Sequence, residues 1–288
     1  MAATLTQPGV TRKRTSIQSS LAQGLMHALL LLLCVLAIVP FLWSFFASFK
    51  IFRELNTSTD FFPKVWTLKN YDEIITRVGF FDAMRNSFIV AIAVTLCVLL
   101  TSSALGYVFA KYRFPGKDKL FAALLSTLML PFAVVLVPLY ITVVTFGLHN
   151  QLMGIIIVSM WSTFGIFMMR QFIETIPSEL IDAARIDGSS EFRIYSLIIL
   201  PLSAAPLGAL AVMTFLAQWD NYLWPLVVIN SPEKQTLPLL LAGLRSLYWT
   251  RYDLWTAGSM LTILPVMTLY AFASKYFIQG IATTGMKG

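Results

Sequence analysis

Five stretches of this chain contain no lysine, arginine, aspartate or glutamate, and each is long enough to cross a bilayer. A helix needs about 20 mostly apolar residues to span the hydrocarbon. The first stretch lies between Arg14 and Lys50, and its apolar part covers residues 25–47. The others cover residues 86–110, 120–169, 194–219 and 254–274. The stretch at 120–169 has room for two spans and contains the turn-like cluster Gly147-Leu148-His149-Asn150. The pattern therefore predicts an all-α polytopic membrane protein with six transmembrane helices, at about 25–47, 86–110, 120–144, 152–170, 196–219 and 256–278.

Charge placement supports that reading. Charged residues are 12% of the chain, about half the share of an average soluble domain. All 21 basic and all 14 acidic residues fall outside the five apolar runs. A charge inside the hydrocarbon usually marks an ion or proton path. Its absence argues against a transporter driven by protons or sodium.

Lysine and arginine also set orientation, because they accumulate in cytoplasmic loops. Arg12, Lys13 and Arg14 precede the first span, and residues 111–119 hold four bases against Asp118. Both segments read as cytoplasmic. Residues 49–85 hold six bases against five acids, and residues 220–253 hold three of each. These read as outward-facing, with the turn at His149. Six spans then place both termini in the cytoplasm. The net charge of +7 reports topology, with no nucleic-acid partner implied.

Residues 1–24 read as a cytoplasmic tail, 25–280 as one membrane domain and 281–288 as a second tail. The first apolar run is too long for a cleavable signal, and no small-residue cleavage pattern follows it. Cys34 and Cys97 lie in apolar spans, where cysteine acts as a small hydrophobe. His27 and His149 have no neighbouring metal-ligand residues, so no metal site is expected. Thr101, Ser102, Ser103, Ala104 and Gly106 form one small-residue cluster, and Ser203, Ala204, Ala205, Gly208 and Ala209 form another. Small residues let helices approach closely in lipid. Pro131, Pro138, Pro206 and Pro265 fall within spans and can kink them.

Residues 175–200 form a polar interlude between two spans. Pro177 suits a first helical position. Glu179 and Asp182 follow in the first turns, where acids favour the positive helix end. Leu180, Ala183 and Ala184 share a face at helical spacing. Gly188, after Asp187, can take the left-handed conformation that stops a helix. Ser189 or Ser190 can then cap a second helix that starts near Glu191. From Arg170 to Leu200 there are five acids and three bases, against the positive-inside trend. Either a solvated connector or a surface that docks a basic partner fits this pattern.

Asp182-Ala183-Ala184, Gly188, Ile198 and Leu200-Pro201 resemble the "EAA" loop of bacterial ATP-binding-cassette importer permeases, with Asp182 where the family has glutamate. Residues 106–117, Leu130-Pro131, Val137-Pro138-Leu139-Tyr140, residues 147–150 and Trp219–Pro225 are similar to segments of the carbohydrate-uptake branch. Residues 280–288 resemble the C-terminus of its maltose-type (MalG-like) members. The resemblance implies a type I importer permease fold in the bacterial inner membrane. It implies half of a heterodimeric pore beside a second permease, a homodimer of ATPase subunits and an extracytoplasmic solute-binding protein. It also implies that Glu179, Asp182, Ala183, Ala184, Asp187, Gly188 and Pro201 couple to the ATPase, and that Gly285 and Lys287 touch it.

The chain itself lacks a phosphate-cradling Gly-x-x-x-x-Gly-Lys-Ser/Thr loop: before Gly116-Lys117 the upstream glycine position holds Lys111. ATP and magnesium are therefore expected on the partner ATPase, with no cofactor and no enzyme activity here. Trp219, Asn221, Tyr222 and Trp224 are candidates for the solute path. Aromatic rings stack on sugars, but they also form the ordinary interfacial belt. A sugar or oligosaccharide is the expected solute, with glycerol-phosphate or another small polar solute as the alternative. A secondary transporter would show inverted repeats and intramembrane charges, and neither is visible.

Overall fold

The computed structural model describes residues 17–245 and 250–284, with side chains for 22–245 and 250–271. Among these residues there is no β-strand, only an isolated bridge between Arg245 and Thr250. The chain opens with α1 (Ile17–Ala47), α2 (Phe52–Thr57), α3 (Lys69–Thr76) and α4 (Phe80–Lys111). It continues through α5 (Lys117–Ser126), α6 (Phe132–Thr145), α7 (Leu152–Ser159) and α8 (Thr163–Glu174). Next come α9 (Ser178–Ile186), α10 (Glu191–Ile194), a π-helical turn at Tyr195–Ile199, and α11 (Leu200–Leu202). The last helices are α12 (Ala204–Trp219), α13 (Leu223–Val228), α14 (Leu237–Gly243) and α15 (Tyr252–Thr284).

Among the described residues, three helices are long and apolar enough to span a membrane alone: 22–47, 80–111 and 252–271. Three bent pairs reach the same criterion together, which allows up to six spans. The bends are where the sequence expectation needs correction. The span expected at 120–144 is two helices meeting at 101°. Leu130 sits in extended conformation ahead of Pro131, because a proline pushes its predecessor out of the helical region. The span expected at 152–170 bends by 41° at residues 160–162, where the Ser162 hydroxyl accepts from the Gly165 N–H at 3.0 Å and restarts the helix. The span expected at 196–219 bends by 77° at Ser203. Pro201 cannot donate to the Leu197 carbonyl, and the turn before it is wound as π-helix. The last helix runs on to Thr284, so residues 281–284 are helical rather than tail.

α4 is the central post of the bundle. It packs along α8 and α12, and α12 in turn packs on α15. The expected small-residue face is what permits this. Ser102, Ser103 and Gly106 are buried in α4. A Cβ on Gly106 would sit 2.7 Å from the Met169 Cβ on α8, and one on Gly165 would sit 2.4 Å from the Ser102 Oγ. Lipid tails are as apolar as these side chains, so close van der Waals fit is a main force holding such helices together. α1 lies along α15 and leaves residues 22–43 exposed.

Polar ties fasten the end of the bundle that carries α3 and α14. The buried Asn86 amide donates to the Glu233 and Gln235 carbonyls, both at 2.9 Å. Ser87 accepts from the Leu237 N–H at 2.8 Å. Arg251 donates to both oxygens of Glu73 at 3.0 Å and to both oxygens of Asp253 at 2.9 Å. That bidentate geometry pins α3 to the start of α15.

Candidate functional site

At the opposite end of α4, α9 and α10 make a short hairpin. Pro177 stands one residue before α9, in extended backbone, rather than at its first helical position. Glu179 lies in the first turn and Arg185 in the last, both favourable to the helix dipole. Ile181 is buried and joins the core formed with Ile176, Ile194 and Ile199. Ala184 packs against that core, while Leu180 and Ala183 face outward. The face expected from Leu180, Ala183 and Ala184 is thus divided between core and surface.

The turn is a Schellman stop. Gly188 has φ of +76°. Its N–H donates to the Arg185 carbonyl at 3.0 Å, and the Ser189 N–H donates to the Ala184 carbonyl at 2.9 Å. A Cβ at Gly188 would meet nothing within 4 Å, so conformation, not space, requires glycine here. Ser190 then caps α10 by accepting from the Arg193 N–H at 3.4 Å.

Ile186 and Phe192 are 86% and 77% exposed on either side of this turn. With Leu180 they are the large apolar side chains that the hairpin leaves exposed, among the exposed carboxylates of Glu179, Asp182 and Asp187. The sequence reading missed Ile186 and Phe192, since each looks like any apolar residue of an amphipathic helix.

It also missed how the hairpin is held. The Glu191 Oε1 accepts from the Arg185 Nε at 2.8 Å. Its Oε2 accepts from the Tyr107 hydroxyl at 3.2 Å and from the Tyr112 hydroxyl. Arg185 also reaches the Asp182 Oδ1 at 3.2 Å. The Arg185 guanidinium, then the Tyr112 hydroxyl, pulls the Glu191 carboxyl down to about 2. The ring of Tyr107 stacks on Tyr195 at 5.9 Å, and the Tyr195 and Ser103 hydroxyls lie 2.6 Å apart. Lys111 donates to the carbonyls of Glu174 and Ile176, at the entrance to α9. Pro201 is exposed in α11, where the π-turn passes into the bend before α12. Gly285 and Lys287 lie outside the described residues.

A second feature is a cleft of about 460 Å³ lined by residues of α4, α6, α7, α8, α12 and α13 and of the bend between α7 and α8. Of the four expected solute-path residues, Asn221 and Trp224 line it, and Trp219 and Tyr222 do not. Trp219 is fully buried against Phe88 and Phe215, with ring centroids at 4.8 and 5.7 Å. Tyr222 is exposed. The Trp224 indole donates to the Gly154 carbonyl at 3.2 Å, so its ring is a fixed wall. The polar lining that sequence reasoning overlooked is Gln218, Thr214, Ser159 and Ser162, beside the ring of Trp161. Gln218 and Asn221 are hydrogen-bonded at 3.3 Å. None of the lining residues is ionisable. Amides, hydroxyls and aromatic faces suit an uncharged solute rich in hydroxyl groups.

Residues 102–283 match the family model described as "Binding-protein-dependent transport system inner membrane component". The chain is 37% identical over 257 residues to the arabinooligosaccharides transport system permease protein AraQ of Halalkalibacterium halodurans, covering 88% of this chain and 92% of that one. It is 34% identical over 279 residues to the AraQ protein of Bacillus subtilis, covering 96% and 99%. Its fold matches a chain in the crystal structure of a bacterial ABC transporter that imports the acidic polysaccharide alginate, with a TM-score of 0.80, 20% identity and coverage of 94% and 100%.

Proposed function

This chain belongs to the family of binding-protein-dependent transport system inner membrane components, and we propose that it forms one half of the pore of an ATP-driven carbohydrate importer. The observation that carries the reading is the α9–Gly188–α10 hairpin. It presents Leu180, Ile186 and Phe192 among exposed acids at one end of the bundle. Large apolar side chains left exposed among acids on this polar segment support its reading as a docking surface. Its occupant in this proposal is an ATPase subunit, and a pair of such subunits binds ATP and magnesium. This chain does no chemistry itself.

The solute is a sugar or oligosaccharide. The AraQ relatives, whose names give arabinooligosaccharide transport, support that class, as does the uncharged polar cleft. Asn221 and Trp224, with Gln218 beside them, line the path, while Trp219 and Tyr222 brace it from behind and from the surface. In this proposal a second permease stands beside this one. A solute-binding protein delivers cargo to the outward end, as the family description supports. In this proposal both termini and the hairpin lie on the cytoplasmic side, and Gly285 and Lys287 are contacts of the ATPase pair.

Physically, ATP acts by binding one state of the complex better than the other. Closing the ATPase pair moves the docked hairpin, and the permeases turn from inward-facing to outward-facing. Co-purification of the tagged chain in nanodiscs tests this reading. Recovery of a second permease and an ATPase is expected. A chain that purifies alone, with no ATPase, would overturn it.

A further inference from the structure

α10 is the first turn of a continuous helical run, Glu191–Leu202, that starts just beyond the Gly188 turn. Ile194 seats that run in the core, and its first residue, Glu191, makes the polar ties. One carboxylate gathers groups from three places. Glu191 Oε1 takes the Arg185 guanidinium of α9 at 2.8 Å, across the Gly188 turn. Oε2 takes two phenol hydroxyls, from Tyr107 near the end of α4 and from Tyr112 just beyond it. Tyr107 is 84 residues away in sequence, so this is a long-range fastening and not a local cap.

The fastening is placed to carry movement. α4 also grips the entrance to α9, through Lys111 and the Glu174 and Ile176 carbonyls. The same helix packs along α8 and α12 and contributes Val98 to the cleft. A displacement of the hairpin therefore reaches α4 through the lysine and the carboxylate, and through the Tyr195–Ser103 hydroxyl pair one turn further on. The lysine meets backbone at the hinge side. The carboxylate sits beyond the turn, on the side of Phe192. We propose that Glu191 is a positioning residue for transport, whose carboxylate fastens the α9–α10 hairpin to the end of α4 so that hairpin movement is passed to the helix behind the cleft. This rests on the reading of the hairpin as an ATPase-docking element.

The test uses the full complex of both permeases, ATPase and binding protein, reconstituted in vesicles. It compares wild type, Glu191→Gln, Glu191→Asp and the double variant Tyr107→Phe with Tyr112→Phe. Three quantities are read: ATPase recovered per chain, hydrolysis rate, and sugar moved per ATP hydrolysed. Glutamine keeps the shape and loses the charge that holds Arg185. The expected result is normal ATPase recovery with sugar per ATP lowered at least roughly fivefold, the lower end of typical coupling between sites. Aspartate should recover part of the ratio, and the double tyrosine variant should shift it the same way. A purely structural role would not move this ratio. An unchanged ratio in Glu191→Gln would overturn the proposal. So would loss of the ATPase with normal coupling in whatever complex remains, since Glu191 would then only help the hairpin fold. A wild-type chain that holds no ATPase would overturn the docking reading as well, and that control separates the two failures.

Discussion

The Arg185 Nε lies 2.8 Å from the Glu191 Oε1, six residues on, and the left-handed backbone of Gly188 between them makes that closure possible. The turn brings the last residues of α9 and the first of α10 side by side. The ion pair and the turn therefore depend on one another, and both shape the surface that carries Ile186 and Phe192.

Gly188→Val should uncouple hydrolysis from transport. A side chain in the left-handed region costs about 1–2 kcal/mol, and no neighbour crowds the site to confuse the result. Asparagine tolerates that region better, so Gly188→Asn should keep most of the activity. Sugar uptake and ATP hydrolysis measured on the same vesicles check both. Equal behaviour of valine and asparagine would contradict the backbone argument.

Ile186→Asp or Phe192→Asp should release the ATPase while the paired permeases stay together. Both side chains are exposed in the isolated chain, so the substitution leaves its core intact. Quantitative mass spectrometry of the purified complex reads the loss. Full ATPase recovery in both variants would mean that these side chains are not the docking surface.

The Glu191 pair should make no contribution to pH dependence near neutrality. Its carboxyl is lowered from 4.5 to about 2 by Arg185 and Tyr112. A lowered carboxyl contributes stability above its unfolded value and loses it as pH falls through the folded one. The window therefore lies between about pH 4.5 and 2. Sugar moved per ATP should be flat from pH 5.5 to 8 in wild type. A midpoint in that range which Glu191→Gln removes would contradict this assignment.

Gly165→Val should destabilise the bundle. Even a single Cβ there would meet the Ser102 Oγ at 2.4 Å. Overpacking of this kind costs about 1–3 kcal/mol. Thermal unfolding in detergent should shift downward, and Ser102→Gly should restore part of the loss. No recovery in the double variant would mean that the clash lies elsewhere.

Gln218→Ala and Asn221→Ala should raise the sugar concentration needed for half-maximal uptake severalfold, with ATPase recovery unchanged. Loss of one hydrogen bond to a neutral group is worth about 0.5–1.5 kcal/mol. Trp219→Phe should lower stability and leave that concentration unchanged, because Trp219 packs on Phe88 and Phe215 outside the cleft. Uptake measured across sugar concentrations separates the two classes.

The long apolar runs were legible because one-dimensional hydrophobicity is what a bilayer selects. Gly188 was legible for a local reason: a glycine after Asp187 ends a helix by its own conformational freedom. The bend at Ser203 was not, because it depends on how the π-turn before Pro201 is accommodated by the rest of the bundle. Glu191 was read only as a residue near a helix start, since Tyr107 and Tyr112 are far away in sequence. Trp219 and Trp224 look alike in sequence, and only packing sends one into an aromatic core and the other to the cleft wall. Ile186 and Phe192 carry no sequence mark that separates a docking surface from a buried face.

Uptake of labelled oligosaccharide into vesicles containing the complete complex tests the central claim most directly, with ATP sealed inside and solute-binding protein outside. Uptake that requires both, and that stops when a non-hydrolysable nucleotide replaces ATP, is the result this account predicts. Uptake that proceeds without ATP and follows an imposed proton or sodium gradient would contradict it.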